Sequence, residues 1–176
     1  MFDETPALLY HYKKHGRVSL VPHILVFSDA HGFSAPVERA LAANPGAEAV
    51  VFLGDGLRGF CSAFEEAGER SPLICVAGNC DGPFCGEPQT LTQRLLGELL
   101  FITHGHLFGV KRSLEPLGSA AAKSGCKAAL FGHTHSPVVT VAAGVLLINP
   151  GSIGLSGSYC RLELLHGQLC PYLLTA

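Results

Sequence analysis

With 176 residues, 48% of them hydrophobic and only 15% charged, the chain has the composition of one globular domain able to bury a sizeable core, which excludes intrinsic disorder. A formal net charge of -2 excludes the basic footprint of a groove-binding nucleic-acid protein, so any phosphate chemistry must be local, carried by a metal or a few cations. No apolar run reaches the length of a membrane span, and neither a membrane nor a stably bound nucleic acid is an expected partner.

Residues 1–22 are polar, aperiodic and closed by Pro22, and read as an N-terminal arm before a domain over 23–176. Asp3, Glu4 and the basic Lys13–Arg17 stretch stand where a signal peptide would need its apolar centre. The 7 cysteines are scattered without zinc-ribbon spacing, and Cys75 sits in an apolar run as a small core residue would. Both features point to a reduced, cytoplasmic protein. His11, His15 and His23, in or beside the arm, read as surface or structural.

From His23 the chain alternates. Ile24–Phe27 has the pattern of a buried strand, and Ser34 with Pro36 opens a helix that Asn44-Pro45-Gly46 ends. Glu48–Leu53 is a second strand, Cys61–Glu69 a short helix and Leu73–Ala77 a third strand, a β-α-β-α-β order that predicts parallel pairing. Thr90–Leu96 and Glu98–Thr103 form a hairpin around Gly97, followed by a helix over Ser113–Ser124. Ala128–Phe131 is a strand, Val138–Val141 pairs with Val145–Ile148, and Tyr159–Leu165 pairs with Leu169–Leu174 across His166-Gly167. Two packed sheets covered by helices are expected, with the apolar last strands and the arm available for a homo-oligomer.

Five apolar segments stop at a metal-ligating residue beside glycine: Asp29-Ala30-His31, Gly54-Asp55, Gly78-Asn79, His104-Gly105-His106 and Gly132-His133-Thr134-His135. Singly, each reads as a turn or a cap. As an ordered set they read as a metal site, because ligands in α/β sheets collect beyond the carboxyl ends of the strands. Carboxylate, amide and imidazole without obligatory thiolate suit manganese, iron or zinc, and argue against a closed structural zinc site. In an extended His133-Thr134-His135 the two imidazoles would point to opposite sides and address two ions.

These blocks resemble those of the calcineurin-like metallophosphoesterases. The Gly78-Asn79-Cys80-Asp81 block, the short chain and Asn149-Pro150-Gly151-Ser152 narrow the resemblance to the small YfcE-type phosphodiesterases, over residues 23–176. It implies an α/β/β/α sandwich of two mixed sheets flanked by helices, and hydrolysis of small phosphodiesters by a metal-bound hydroxide. It also implies two divalent metal ions, usually manganese, with iron, zinc or nickel as alternatives. By block, Asp29, His31 and His135 would hold the first ion, Asn79, His104 and His133 the second, and Asp55 would bridge them.

Cys80 stands where many larger relatives carry a histidine that protonates the leaving oxygen, and a neutral thiol reads better as a wall residue. His106 is a candidate to orient the phosphate, Asp81 to hold a ligand histidine in its tautomer or to cap a turn, and Arg58 to touch phosphate or stay solvated. Asn149 and Ser152 read as turn formers beneath the site, and His166 as a bystander. The competing function is a metal-stabilised interaction scaffold of the same fold, like the retromer subunit, whose ligand set is altered whereas all seven positions are filled here.

Overall fold

The computed structural model describes residues 21–83 and 85–176. Residues 1–20 of the expected arm, with His11 and His15, lie outside the described residues.

Two five-stranded sheets face each other. The first contains β1 (His23–Phe27), β2 (Ala49–Phe52), β3 (Leu73–Cys75), β9 (Ser158–Leu165) and β10 (Gln168–Thr175), in the order β10-β9-β1-β2-β3. The second contains β4 (Thr90–Leu95), β5 (Glu98–Thr103), β6 (Ala128–Leu130), β7 (Val138–Ala142) and β8 (Val145–Asn149), in the order β4-β5-β6-β8-β7. β1, β2 and β3 run parallel, as do β5, β6 and β8, while β4, β7, β9 and β10 pair antiparallel.

Alternation along the strands sorts side chains into layers. Ile24, Val26, Val51 and Leu53 turn inward onto Leu100, Ile102, Leu130 and Ile148 of the second sheet. Leu25, Phe27, Val50 and Phe52 turn outward onto helices α1 (Ala35–Ala43) and α2 (Leu57–Glu66), where the Phe60 ring stacks on Phe52 at 4.2 Å. On the far side, helix α3 (Glu115–Lys123) packs Leu117 and Ala121 against Phe101, Ala129 and Leu147. The result is the four-layer α/β/β/α sandwich. Among the described residues no helix is long and apolar enough to cross a membrane.

Several elements depart from the sequence reading. α2 begins at Leu57, four residues before the expected Cys61, because its first amides are capped by a residue distant in sequence, described below. Ser34 precedes α1 but is already helical (φ -86, ψ -43) and its hydroxyl caps nothing; Pro36 in the first turn suffices. Two short pieces were not foreseen, a 3-10 turn at His106–Phe108 and helix α4 (Ile153–Ser156). His23 is wholly buried, with Nδ1 3.1 Å from the carbonyl of Val21, which is the structural alternative of the two expected. His166 sits in the β9–β10 turn, near the N-terminal end of β1 and so at the opposite end of the sheet from Asp29 and His31.

Candidate metal centre

The carboxyl ends of β1, β2 and β3 in one sheet and of β5 and β6 in the other open at the same edge of the sandwich. Each strand hands over to a loop that turns immediately. Asp29 (φ 55), His31 (φ 46), Asp55 (φ 62), His133 (φ 67) and His135 (φ 60) all take the left-handed conformation. This region costs an L-residue of the order of 1–3 kcal/mol and is most accessible to short polar or imidazole side chains. Backbone bonds hold the turns: Asp29 N–H to Gly54 O at 2.9 Å, and His31 N–H to Asp55 O at 3.2 Å. The His133–His135 segment is therefore a pair of bends and not the extended strand expected. The two imidazoles still diverge, through backbone turns rather than strand alternation.

The side chains gather into two clusters, each with donor atoms within 4.8 Å of one another: Asp29, His31 and His135, and then Asp55, His104 and His133. Each cluster takes ligands from both sheets. In the first, Asp29 Oδ1 lies 3.1 Å from His135 Nε2 and 3.9 Å from His31 Nε2, and the two Nε2 atoms are 3.5 Å apart. In the second, His104 Nε2 is 3.3 Å from Asp55 Oδ2, and the His104 and His133 ring centroids are 5.0 Å apart. The clusters adjoin, since His104 Nε2 is also 4.0 Å from Asp29 Oδ1.

Their unused valences fit a cation. Asp29 Oδ2 accepts from Ser28 Oγ (2.6 Å) and from the His133 amide (3.1 Å), while Oδ1 is buried without a hydrogen bond. His104 Nδ1 faces the Leu53 carbonyl at 2.8 Å, which makes it the N–H and turns the lone pair of the buried, unpaired Nε2 into the cluster. Lone pairs converging on a buried carboxylate call for a positive charge, a metal ion or a proton. The electrostatics express the same demand. Burial opposes a charge on His104, yet Asp55 and Asp29 outweigh it and raise its pKa. Burial would raise Asp55, but His104 and the Cys80 amide (2.7 Å from Oδ1) hold it well below the usual carboxylate range. Burial, then the positive charge of Lys111, lowers the pKa of His133.

Asn79 stands on the loop after β3, exposed, with its amide nitrogen 3.2 Å from Cys80 Sγ. His106 lies beside that cluster, with ring centroids 5.5 Å from His104 and 6.2 Å from His133; burial lowers its pKa, and its Nδ1 is buried and unpaired. Cys80 is exposed, and its hydrogen bond to Asp55 followed by burial raises its pKa, keeping the thiol neutral as befits a wall residue. Arg58 is exposed on the first turn of α2 and lines, with Gly32, Leu57, Cys80 and Cys85, an open cavity of about 780 Å³.

Asp81 does not serve a ligand histidine. Its Oδ1 accepts the amides of Gly56 and Leu57, and its Oδ2 those of Asp55 and Gly78, all at 2.8 Å. Four amide donors saturate the carboxylate, leaving no lone pair for an imidazole. The turn-capping alternative is the one realised, and it caps α2.

Three supporting roles extend beyond the sequence reading. Ser28 braces Asp29 Oδ2, and its only signal was a hydroxyl immediately before the ligand. The Ser152 hydroxyl donates to the Asp29 carbonyl (2.8 Å) while capping α4. The Asn149 carboxamide donates to Gly132 O (2.9 Å) and Thr134 Oγ1 (3.0 Å), so it fastens the histidine loop rather than merely forming a turn.

Comparison with known proteins identifies the family. The family model described as calcineurin-like phosphoesterase superfamily domain matches residues 23–166. The chain is 34% identical to the probable metallophosphoesterase YsnB of Bacillus subtilis over 137 residues, 76% of each protein. It is 31% identical to the phosphodiesterase YfcE of Escherichia coli over 157 residues, covering 75% of this chain and 79% of that one. A crystal structure of a predicted phosphoesterase from Streptococcus pneumoniae superposes with a TM-score of 0.74 at 29% identity, over 89% of this chain and 90% of the other. A family match running from the first residue of β1 into the β9–β10 turn spans every strand end that carries a clustered ligand, and the chain belongs to the calcineurin-like phosphoesterase superfamily.

Proposed function

We propose that the protein is a metal-dependent phosphodiesterase acting on small phosphodiesters with two divalent ions, manganese first among them and iron, zinc or nickel as alternatives. The observation that carries this reading is the pair of adjoining clusters, with Asp29 Oδ1 and His104 Nε2 buried and unpaired where they meet. Asp29, His31 and His135 would hold one ion, and His104, His133, Asp55 and Asn79 the other, with Asp55 shared. Bound there, the ions supply Lewis acidity to the phosphate and lower the pKa of a water.

The chain's own residues do the rest. Ser28 and the His133 amide occupy Asp29 Oδ2 and leave Oδ1 for coordination. The Leu53 carbonyl fixes the His104 tautomer that presents Nε2. His106, beside the second cluster and with its pKa lowered by burial, would orient a phosphate oxygen. The open cavity beside Cys80 and Arg58 accommodates the alcohol portion of the ester. Cys80 offers no strong acid to the leaving oxygen, so rates should rise steeply as the leaving-group pKa falls. Absence of stable nucleic-acid or membrane binding, a cytoplasmic setting and a homo-oligomeric state complete the reading.

The test is hydrolysis of bis(p-nitrophenyl) phosphate with each divalent ion, alongside the measured metal content of the wild type and of Asp55→Asn. Two ions per chain and turnover abolished by Asp55→Asn are expected. A protein loaded with two ions but inert toward every activated diester would favour the scaffold reading instead.

A further inference from the structure

We propose that Asp81 is a positioning residue that sets the register of the loops bearing Asp55 and Asn79, and so acts more on the second metal site, which takes both residues, than on the first, which shares Asp55 alone. This inference rests on the two-ion reading above. Its basis is the placement of four backbone amides around one carboxylate. The amides of Asp55 and Gly56 belong to the loop between β2 and α2, that of Leu57 to the first residue of α2, and that of Gly78 to the loop after β3; all four lie at 2.8 Å. Two of these amides bracket ligands: Asp55 is itself a ligand, and Gly78 immediately precedes Asn79.

The two loops lie in direct backbone contact. A Cβ on Gly54 would collide with Gly78 N, and one on Gly78 with Asp55 Oδ1 and Asp55 N. Contact of this kind sets a minimum distance but no register. Asp81 supplies the register, and the Cys80 amide on Asp55 Oδ1 (2.7 Å) completes the tie. The same carboxylate supplies the N-terminal cap of α2, which begins after Gly56 (φ 110) and has no side-chain cap of its own.

The first site touches the same loop through the Asp29 and His31 amides, but it has further fastenings of its own. Asp29 is held by Ser28, Ser152 and the His133 amide, and the loop bearing His135 by Asn149. Loss of the Asp81 carboxylate should therefore act more strongly on the second ion than on the first.

The experiment titrates the metal-free full-length chain with Mn²⁺, following affinity by calorimetry and the spin-coupled pair by electron paramagnetic resonance, for wild type and Asp81→Asn. The asparagine retains the shape but has one acceptor oxygen for four amides. Two ions are expected to bind the wild type with a coupled spectrum. In Asp81→Asn the second affinity should fall about 10–100-fold, the usual effect of removing a group that orients a ligand, and the first by less. The spectrum at two equivalents should become that of isolated Mn²⁺.

First-site binding reports that the variant is folded. If Asp81→Asn does not fold, Asp81→Glu, which keeps the charge but moves it by one methylene, carries the same expectation. Equal weakening of both sites, as a merely structural role would give, or an undiminished second site, overturns the inference while the two-ion reading stands. A wild type that binds fewer than two ions overturns both.

Discussion

Replacing Asn149 by alanine should loosen the loop that presents His133 and His135. Asn149 closes β8, is wholly buried, and makes three side-chain hydrogen bonds: to Gly132 O, to Thr134 Oγ1 and from the Gly151 amide at 2.8 Å. The three losses are unequal. Gly132 O keeps the Thr134 amide at 2.8 Å, and the Thr134 hydroxyl keeps a weak contact to Ser136 O, whereas the Gly151 amide is left buried without a partner. Two forfeited bonds at about 0.5–1.5 kcal/mol each, plus about 1–3 kcal/mol for the orphaned amide, give a destabilisation of about 4 kcal/mol. For a chain of this size that lowers Tm by roughly 8–16 °C. Urea denaturation of the metal-free protein measures the loss, and Mn²⁺ titration of the same sample should show weakened binding at both sites, since His133 and His135 belong to different clusters. A change below about 0.5 kcal/mol with unaltered Mn²⁺ affinity would show that the loop is held by its own turns, refuting this reasoning.

Two ions, each at 100 times its Kd, should together stabilise the folded chain by about 5 kcal/mol, so a chelator should lower Tm by roughly 10–20 °C; an unmoved Tm would exclude tight binding. Gly132→Ala would drive a Cβ into Ser28 Oγ and Asp29 Oδ2, costing about 1–3 kcal/mol in denaturant melts and weakening the first metal site. In the metal-free protein the imidazoles should divide, His104 titrating above about 6.5 and His106 and His133 below it, as NMR titration of the ring protons would show. The raised pKa of His104 contributes stability that is full below about 6.5 and is lost as pH rises through the folded value. The lowered values of His106 and His133 contribute stability present above about 6.5 and lost as pH falls through theirs.

Much of the architecture was legible because the strands are short apolar runs ending at a polar residue. Ile24–Phe27, Leu100–Thr103 and Ala128–Phe131 are buried on both faces, and such runs announce strands whatever the tertiary context. The candidate ligands were legible for the same reason, since each directly follows such a run. What escaped depends on partners distant in sequence. α2 starts at Leu57 because a carboxylate more than twenty positions downstream caps it, and no local pattern at Gly56 or Leu57 announces that. For Asp81 the sequence leaves a ligand histidine and a turn cap both open, because the deciding partners are backbone amides more than twenty residues upstream. The bends at His133 and His135 were hidden because histidine gives no sequence sign of a left-handed φ, as glycine does.

Each cluster joins the first sheet to the second, with consequences for the mechanics of the sandwich. The interface between the sheets is a layer of aliphatic side chains, and such a layer resists separation but offers little directional resistance to sliding. Ion-centred cross-links at one edge would act as rivets against that shear, confining relative motion to a pivot at the loaded edge. Chelation should then quicken amide exchange at the C-terminal ends of β1, β2, β5 and β6, while the opposite ends of the same strands keep their protection.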